Sequence, residues 1–229
     1  MDEMTTFESP KLGKQRITVD SRFGQTPHPS VDSLFKRAID IAGSLVGLFI
    51  LGLIFIPVAI AIRLDSPGPI LYSQKRCGLY GNYITVYKFR TMVKNADELK
   101  KKLMASEGQP FFVKEGDDPR VTRVGKFLRR TSLDEFPQFW NILQGTMSLV
   151  GTRPPTLDEV RHYRDHHWHR LNVKPGLTGE WQVNGRSKIK DFEEIVRLDM
   201  RYQKKWHPLY DLQIIAKTIR VVLLREGAS

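Results

Sequence analysis

The dominant feature in the pattern of apolar and polar positions is one uninterrupted run, IAGSLVGLFILGLIFIPVAIAI, from Ile41 to Ile62, twenty-two residues without a charge. At 1.5 Å per residue a continuous helix over it would be about 33 Å long, enough to cross a hydrocarbon core of roughly 30 Å. The run is too long for the apolar core of a secretory leader, and it lacks a convincing small-residue cleavage site. Pro57 lies inside it and removes one backbone hydrogen bond, which predicts a kink or break in the helix at that point. Basic residues stand on both sides, Lys36 and Arg37 before it and Arg63, Lys75 and Arg76 after it. Charge bias therefore gives the segment no direction. Two arrangements fit: a helix that bends at Pro57 and returns to the face it entered, or a single crossing with a proline kink.

Around that run the pattern is shorter-ranged. Residues 1–30 are polar, with scattered Pro, Gly and Thr and no apolar period, and are expected to form a mobile tail. After Asp65-Ser66-Pro67-Gly68-Pro69, the segments ILYSQKR and YITVYKFRTM predict two strands joined through CGLYGN. The charge-rich segment from Asn95 to about Met104 predicts a solvated helix, and Ala105 to Pro119 a loop. Asp118-Pro119-Arg120 predicts a turn before the short basic helix VGKFLRR. The VRHYRDHHWHR segment predicts a basic, aromatic surface helix on which His162 and His166 would share a face. Lys174 to Gly179 reads as a turn into a short strand, EWQV. In the last helix, from about Leu209 to Leu224, an apolar face of Leu212, Ile215, Ile219, Val222 and Leu223 is expected to pack on the domain. Insertion of that face in a membrane interface is the second reading.

Composition changes the picture in one respect. The 229 residues carry a formal net charge of +11, which points to an anionic partner: an acidic lipid surface, a phosphorylated substrate or nucleic acid. No nucleic-acid-binding module is recognisable, so nucleic acid is not expected as a partner. The single cysteine, Cys77, excludes an intramolecular disulfide. No internal repeat or low-complexity tract is present.

Candidate chemistry concentrates in Leu128-Arg129-Arg130-Thr131-Ser132-Leu133-Asp134-Glu135-Phe136-Pro137-Gln138. Ser132, three residues before Glu135, fits a capping box that would open a helix with Asp134 and Glu135 in its first turn. The helix dipole would hold both carboxylates ionised there. An ionised Asp beside guanidinium groups can attack a phosphoryl group that the arginines and a metal neutralise. A well-capped helix with a solvated acidic turn would also produce this string. Lys88 and Arg90, alternating with Tyr87 and Phe89, form the basic face of a half-buried strand that could meet a phosphate.

The ordered strings LDSPGPILYSQKRCG, YKFRTM, DPRVTRVGKFLRRTSLDEFPQFWNILQGTMSLVGTRPP, VKPGLTGEWQVNGR and LDMRYQKKW together strongly resemble the bacterial sugar transferases that act on polyprenyl phosphate, the monotopic phosphoglycosyl transferases. The resemblance runs from about Phe35 to the C-terminus. It implies transfer of a sugar-1-phosphate from a nucleoside diphosphate sugar, a UDP-sugar by preference, to a membrane polyprenyl phosphate. It assigns Asp134 as the nucleophile of a phosphosugar–enzyme intermediate and Glu135 as a ligand of Mg²⁺. Arg129 and Arg153 become phosphate-binding residues, and Lys88, Arg90, Gln182 and Arg186 weaker substrate contacts. It favours the re-entrant arrangement, broken at Pro57. The sequence departs from the family's pattern at Ile56, where serine is frequent, at Phe136 for leucine, at Thr152 for proline, and at Thr146, where an acidic residue is frequent; no ligand role carries over to Thr146.

The expectation is thus a predominantly helical α+β protein. Residues 1–30 would be tail, 31–66 a membrane-inserted helix-break-helix, and 67–229 a catalytic domain on the cytoplasmic face of a bacterial inner membrane. Mg²⁺ is the expected cofactor; nucleotide sugar, polyprenyl phosphate and anionic membrane lipid are the expected partners, and a homodimer is left open. A histidine metal site at His162 and His166 lacks the glutamate of the zinc-protease pattern. Asp199 is expected to pair with Arg197 or Arg201. Two other classes compete: a membrane-anchored, non-enzymatic binder of anionic lipid or nucleic acid, and a phosphohydrolase acting through an aspartyl phosphate.

Overall fold

The computed structural model describes residues 5–7, 17–19, 23, 26–96, 98–99, 118–185, 189 and 191–224. The sequence expectations for Asp97, for Lys100 to Asp117 and for Arg186 fall outside these residues. The chain is predominantly helical, and its described strands form three separate pairs. Strands β1 (Thr5–Phe7) and β2 (Ile17–Val19) are antiparallel, which a structureless tail would not contain. Phe23 is buried against Cys77 and Leu171, with Tyr80 and Trp168 edge-on to its ring, so an aromatic anchor within residues 1–30 docks on the domain. The polar composition around Phe23 concealed it.

Helix α1 (Pro29–Asp32) leads through Ser33 into α2 (Leu34–Asp65), a 32-residue helix that continues through Pro57. The expected helix-break-helix is therefore one continuous helix, long and apolar enough to cross a membrane. It does not stand apart from the domain. A stripe at i, i+4 and i+3 spacing, Lys36, Asp40, Ser44, Gly47, Ala59 and Ile62, is buried along its length. The other face carries Leu45, Val46, Phe49, Leu53, Ile56, Ile60 and Leu64, each more than half exposed.

Polar ties secure both ends. Lys36 is not a solvated flanking charge: its Nζ donates to the Asp211 carboxylate at 2.7 Å and to the Val150 carbonyl at 2.8 Å. Asp40 accepts from Ser148 Oγ and from the Leu149 N–H. Arg37 donates to the carbonyls of Ile142 and Leu143 in the last turn of a helix, where carbonyls lack intrahelical partners. At the far end, Asp65 Oδ2 accepts from the Val124 N–H at 2.8 Å, satisfying a first-turn donor of the helix that begins at Arg123. Gly43 and Gly47 permit close approach in between, since a Cβ on Gly47 would lie 2.3 Å from the Phe139 ring.

The expected hairpin is present: β3 (Leu71–Cys77) and β4 (Tyr83–Phe89) are antiparallel, with Leu71 opposite Phe89 and Cys77 opposite Tyr83. Helix α3 (Arg123–Arg130) is capped by Thr122. A 3₁₀ turn, Leu133–Glu135, and α4 (Gln138–Gln144) follow. Strand β5 (Ser148–Val150) pairs in parallel with β6 (Gly176–Thr178). This pairing explains the glycines of GTRPP and KPGLTG. A Cβ on Gly176 would sit 2.1 Å from the Gly151 N, and one on Gly179 2.1 Å from the Gly151 O. The two motifs pack backbone against backbone.

The expected surface helix over VRHYRDHHWHR is instead two single turns, α5 (Leu157–Val160) and α6 (Asp165–Trp168). EWQV is a helical turn, α7 (Glu180–Val183), rather than a strand. Its following helices are α8 (Phe192–Lys205) and α9 (Pro208–Leu224). In α9 the inward positions are Asp211, Ile214 and Thr218, whose hydroxyl meets that of Thr178. Leu212, Ile219 and Val222, expected against the core, are exposed. The reason is the Lys36–Asp211 pair, which turns α9 so that a polar position faces inward.

Candidate active site

The turn bearing the two carboxylates is built by a backbone reversal, not by a capping box. Helix α3 ends at Thr131, whose hydroxyl donates to the carbonyls of Phe127 and Leu128. Ser132 then adopts φ 55°, ψ 16°, a left-handed conformation that costs a non-glycine residue about 1–3 kcal/mol. Its side chain makes no cap hydrogen bond, and α4 starts only at Gln138. The reversal packs the half-buried Leu133 against Leu128 and Phe89 and leaves Asp134 buried at 7% exposure.

Cations converge on this turn from two elements. Lys88, near the end of β4, reaches the Glu135 Oε1 at 2.7 Å, with both side chains about a quarter to a third exposed. Arg129, one turn earlier on α3, is anchored by its Nε on Thr91 Oγ1 at 3.0 Å. Burial lowers its pKa, while the carboxylates of Asp134 and Asp118 pull it back up. Asp118 in turn holds Arg120 through two buried, parallel N–H···O contacts. Asn141 sets the height of β4 against α4: its Nδ2 donates to the Thr85 carbonyl and its Oδ1 accepts from the Tyr87 N–H.

A second group of charges adjoins the first. Arg153 donates to Glu159 Oε1 at 3.0 Å and lies over the Trp181 ring, 5.9 Å from its centroid. Glu159 also accepts from the Thr156 N–H, and Thr156 Oγ1 accepts from the Glu159 N–H. This is the capping box of the region, in the TLDE string rather than in TSLDE. Burial pushes the Glu159 carboxyl up, but Arg153, the Thr156 N–H and Arg76 outweigh it and hold it below its ordinary 4.5. Arg76 is drawn down to about 10 by burial and then by the like charge of Arg153, against the pull of Glu159 and Glu135. Glu135 is thus among the charges that act on Arg76, an electrostatic link between the two groups.

Of the residues expected at the site, the structure brings together Asp134, Glu135, Lys88 and Arg129, with Arg153 in the adjoining group. Arg90 is buried, and its terminal nitrogens donate to the carbonyls of Ser66 and Pro67, so it clasps the turn after α2. Gln182 lies on α7, with its Oε1 buried and lacking a hydrogen-bond partner. Thr146 donates to the Asn141 carbonyl and is structural. Asp199 pairs with Arg170 at 2.7 Å, both fully enclosed, rather than with Arg197 or Arg201, which meet Glu194 and Glu180.

His162 and His166 do not share a helix, so the expected spacing for a metal does not arise. His166, His167 and Glu193 do cluster. However, His167 Nδ1 accepts from the Arg164 N–H, which puts the ring proton on Nε2, where it donates to Glu193. That nitrogen has no lone pair for a metal. Sequence reasoning missed Arg76, Glu159, Asn141 and Thr91; only the S/T-x-x-E pattern at Thr156 offered a signal.

Residues 31–225 match the bacterial sugar transferase family. The chain is 45% identical over 225 residues to the galactosyl transferase CpsE of Streptococcus agalactiae, covering 98% of this chain and 48% of that protein. It is 42% identical over 200 residues to the undecaprenyl-phosphate galactose phosphotransferase of Salmonella typhimurium, covering 84% of this chain and 41% of that one. With the UDP-glucose:undecaprenyl-phosphate glucose-1-phosphate transferase of Escherichia coli it shares 39% identity over 201 residues, 85% of this chain and 41% of the relative. The chain thus spans about half the length of these curated relatives. The match over nearly the whole chain makes it a member of the bacterial sugar transferase family.

Proposed function

We propose that this protein transfers a sugar-1-phosphate from a nucleoside diphosphate sugar, a UDP-sugar by preference, to polyprenyl phosphate, initiating a glycan or exopolysaccharide. The observation that carries this reading is the buried Asp134 beside Arg129, with Glu135 next to it held by Lys88. The names of the relatives, a galactose phosphotransferase and a glucose-1-phosphate transferase acting on undecaprenyl phosphate, support the substrate class.

In the first step an oxygen of Asp134 forms a bond to the phosphorus that carries the sugar. The bond from that phosphorus to the bridging oxygen breaks, and the nucleoside monophosphate leaves with the electron pair. In the second step a phosphate oxygen of the lipid attacks the same phosphorus and the Asp134 carboxylate departs. Arg129 and Arg153 offset the negative charge gathered at the phosphates, which an anionic nucleophile could not otherwise approach. Two adjacent carboxylates are hard oxygen donors of the kind Mg²⁺ takes together with phosphate and water, so Asp134 and Glu135 fit that ion. Bound at Glu135, Mg²⁺ would supply neutralisation of the diphosphate. Lys88, in contact with Glu135 Oε1, holds that carboxylate in place beside the nucleophile.

The acceptor is confined to a membrane, so the reaction must occur at its surface. Supporting this are the bare apolar face of α2 and the exposed Leu209, Leu212 and Ile219 of α9. Ties from Lys36 and from Asp65 to one domain favour an α2 whose two ends stay on the same side of the membrane over a crossing, because a crossing would have to draw the domain through the bilayer. We place the catalytic domain on the cytoplasmic side, where nucleotide sugars are supplied. Purified Asp134→Asn should release no UMP from a panel of UDP-sugars in the presence of Mg²⁺ and polyprenyl phosphate. Wild-type turnover in that variant would remove the assignment.

A further inference from the structure

We propose that Arg76 and Glu159 are positioning residues that together aim Arg153 at the donor's diphosphate. This rests on the function proposed above. Neither residue is available as a phosphate ligand through its main contacts. Arg76 Nε and Nη2 donate to Gln74 Oε1 at 2.9 and 2.7 Å, and its Nη1 donates to the Pro154 carbonyl at 2.8 Å. The residue after Arg153 is therefore clamped to the end of β3. Next to it, Arg76 bridges Thr156, and the Cys77 N–H donates to the Pro155 carbonyl at 3.0 Å. The Arg153–Thr156 segment follows β3 as a short added rail.

Glu159 works from the other side. One of its oxygens takes the Thr156 N–H, which locks the carboxylate to the start of α5, and the other takes Arg153 Nη1. The Trp181 ring covers a face of the same guanidinium. With the backbone of the next residue clamped by Arg76, one edge of its guanidinium on Glu159 and one face on Trp181, Arg153 has few orientations left. Its remaining N–H donors form the fixed fork that suits a phosphate. Glu159 contacts Arg153 through one oxygen only, and Arg76 adds a second guanidinium to the same neighbourhood, where a diphosphate would find two cations. Preorganisation of this kind lowers the cost of ordering a long side chain on binding.

The test compares Glu159→Gln, Arg76→Met and Arg76→Lys with the control Thr156→Ala. The control removes the hydroxyl that caps α5 but leaves both Glu159 carboxylate contacts possible. Each variant is measured for UMP release and for binding of UDP, or of whichever among UDP, dTDP, ADP and GDP the wild type binds tightest. Glu159→Gln keeps the size of the side chain but has one acceptor oxygen for two donors. Loss of one charge-assisted contact predicts a rise of about tenfold to a hundredfold in donor KM and in nucleotide Kd. Because Arg153 binds the diphosphate before as well as during reaction, kcat should stay within about threefold. Arg76→Met should behave likewise, and Arg76→Lys, which retains a donor for Pro154, should recover part of the affinity.

Thr156→Ala should lower the unfolding temperature while leaving KM unchanged, a split that a purely structural role for Glu159 would not give. Wild-type KM and Kd in Glu159→Gln overturn the proposal, as does an equal KM defect in Thr156→Ala. If Arg76→Met does not fold, Glu159→Gln alone decides. A wild-type protein that binds none of the four nucleotides overturns it too. Asp134→Asn run alongside separates the two levels: dead in turnover yet normal in nucleotide binding, it sustains the function whatever becomes of Arg76 and Glu159.

Discussion

If α2 lies along the domain rather than apart from it, its glycines must differ sharply in their tolerance of a methyl group. A Cβ at Gly47 would meet the Phe139 ring at 2.3–2.5 Å, well inside contact distance, whereas a Cβ at Gly52 meets nothing within 4 Å. Both substitutions to alanine gain the same helix propensity, about 1 kcal/mol. Comparing the two variants cancels that gain and isolates the clash. Forcing a methyl into packed side chains costs about 1–3 kcal/mol. For a domain of this size each kcal/mol moves Tm by about 2–4 °C, so Gly47→Ala should melt about 2–12 °C below Gly52→Ala. Phe139→Leu in the Gly47→Ala background should recover much of the loss, since the ring is the obstacle. The assay is thermal unfolding of protein in lipid nanodiscs, followed by loss of near-UV signal. Equal melting of the two alanine variants would mean that α2 and α4 are not packed at Gly47, and the continuous contact along α2 would fall with it.

Further outcomes follow from other contacts. Lys36→Met leaves Asp211 buried without its cation; Tyr202 and Trp206 still donate to it, so the cost should lie near the low end of the usual range, about 3 kcal/mol, in nanodisc unfolding. Adding Asp211→Leu should recover stability, and a neutral Lys36→Met would contradict the buried pair. Glu159 is held below its ordinary 4.5, so its contribution is complete above that pH and lost as pH falls through its lowered folded value. The stability gap between wild type and Glu159→Gln, measured as Tm from pH 7 to pH 3, should therefore narrow toward acid; a gap that widens would reverse the sign. In a Cys77→Ser background, cysteines at Leu34 and Lys75, both exposed, should label from the same side in intact cells. Labelling from opposite sides would establish a crossing.

Much of this was legible because it was local. The β3–β4 hairpin, the α3 helix and the apolar run each announce themselves within one continuous stretch by periodicity and turn chemistry. The neighbourhood of Asp134 with Arg129 was also readable, being five residues apart in one string. What escaped were effects of distant partners. Ser132 has the right residue type for a helix cap, but Lys88 draws Glu135 away and the backbone reverses at a positive φ. Lys36 looks like a membrane flank until Asp211, 175 residues away, is seen to bury it. Arg90 and Arg76 are indistinguishable from substrate-facing arginines in sequence; carbonyl acceptors across the fold decide that both are held by protein. The histidine-rich stretch would present its apparent spacing only if it were one helix, and it breaks after Val160.

The central claim is that Asp134 carries the sugar phosphate between donor and lipid. It is tested most directly by incubating the purified protein with labelled UDP-sugar and Mg²⁺ but no lipid acceptor, then mapping the modified peptide by mass spectrometry. The predicted result is a sugar-phosphate adduct on Asp134 that disappears when polyprenyl phosphate is added and never forms in Asp134→Asn. An adduct on any other residue, or lipid-linked product formed at the wild-type rate by Asp134→Asn, would contradict it.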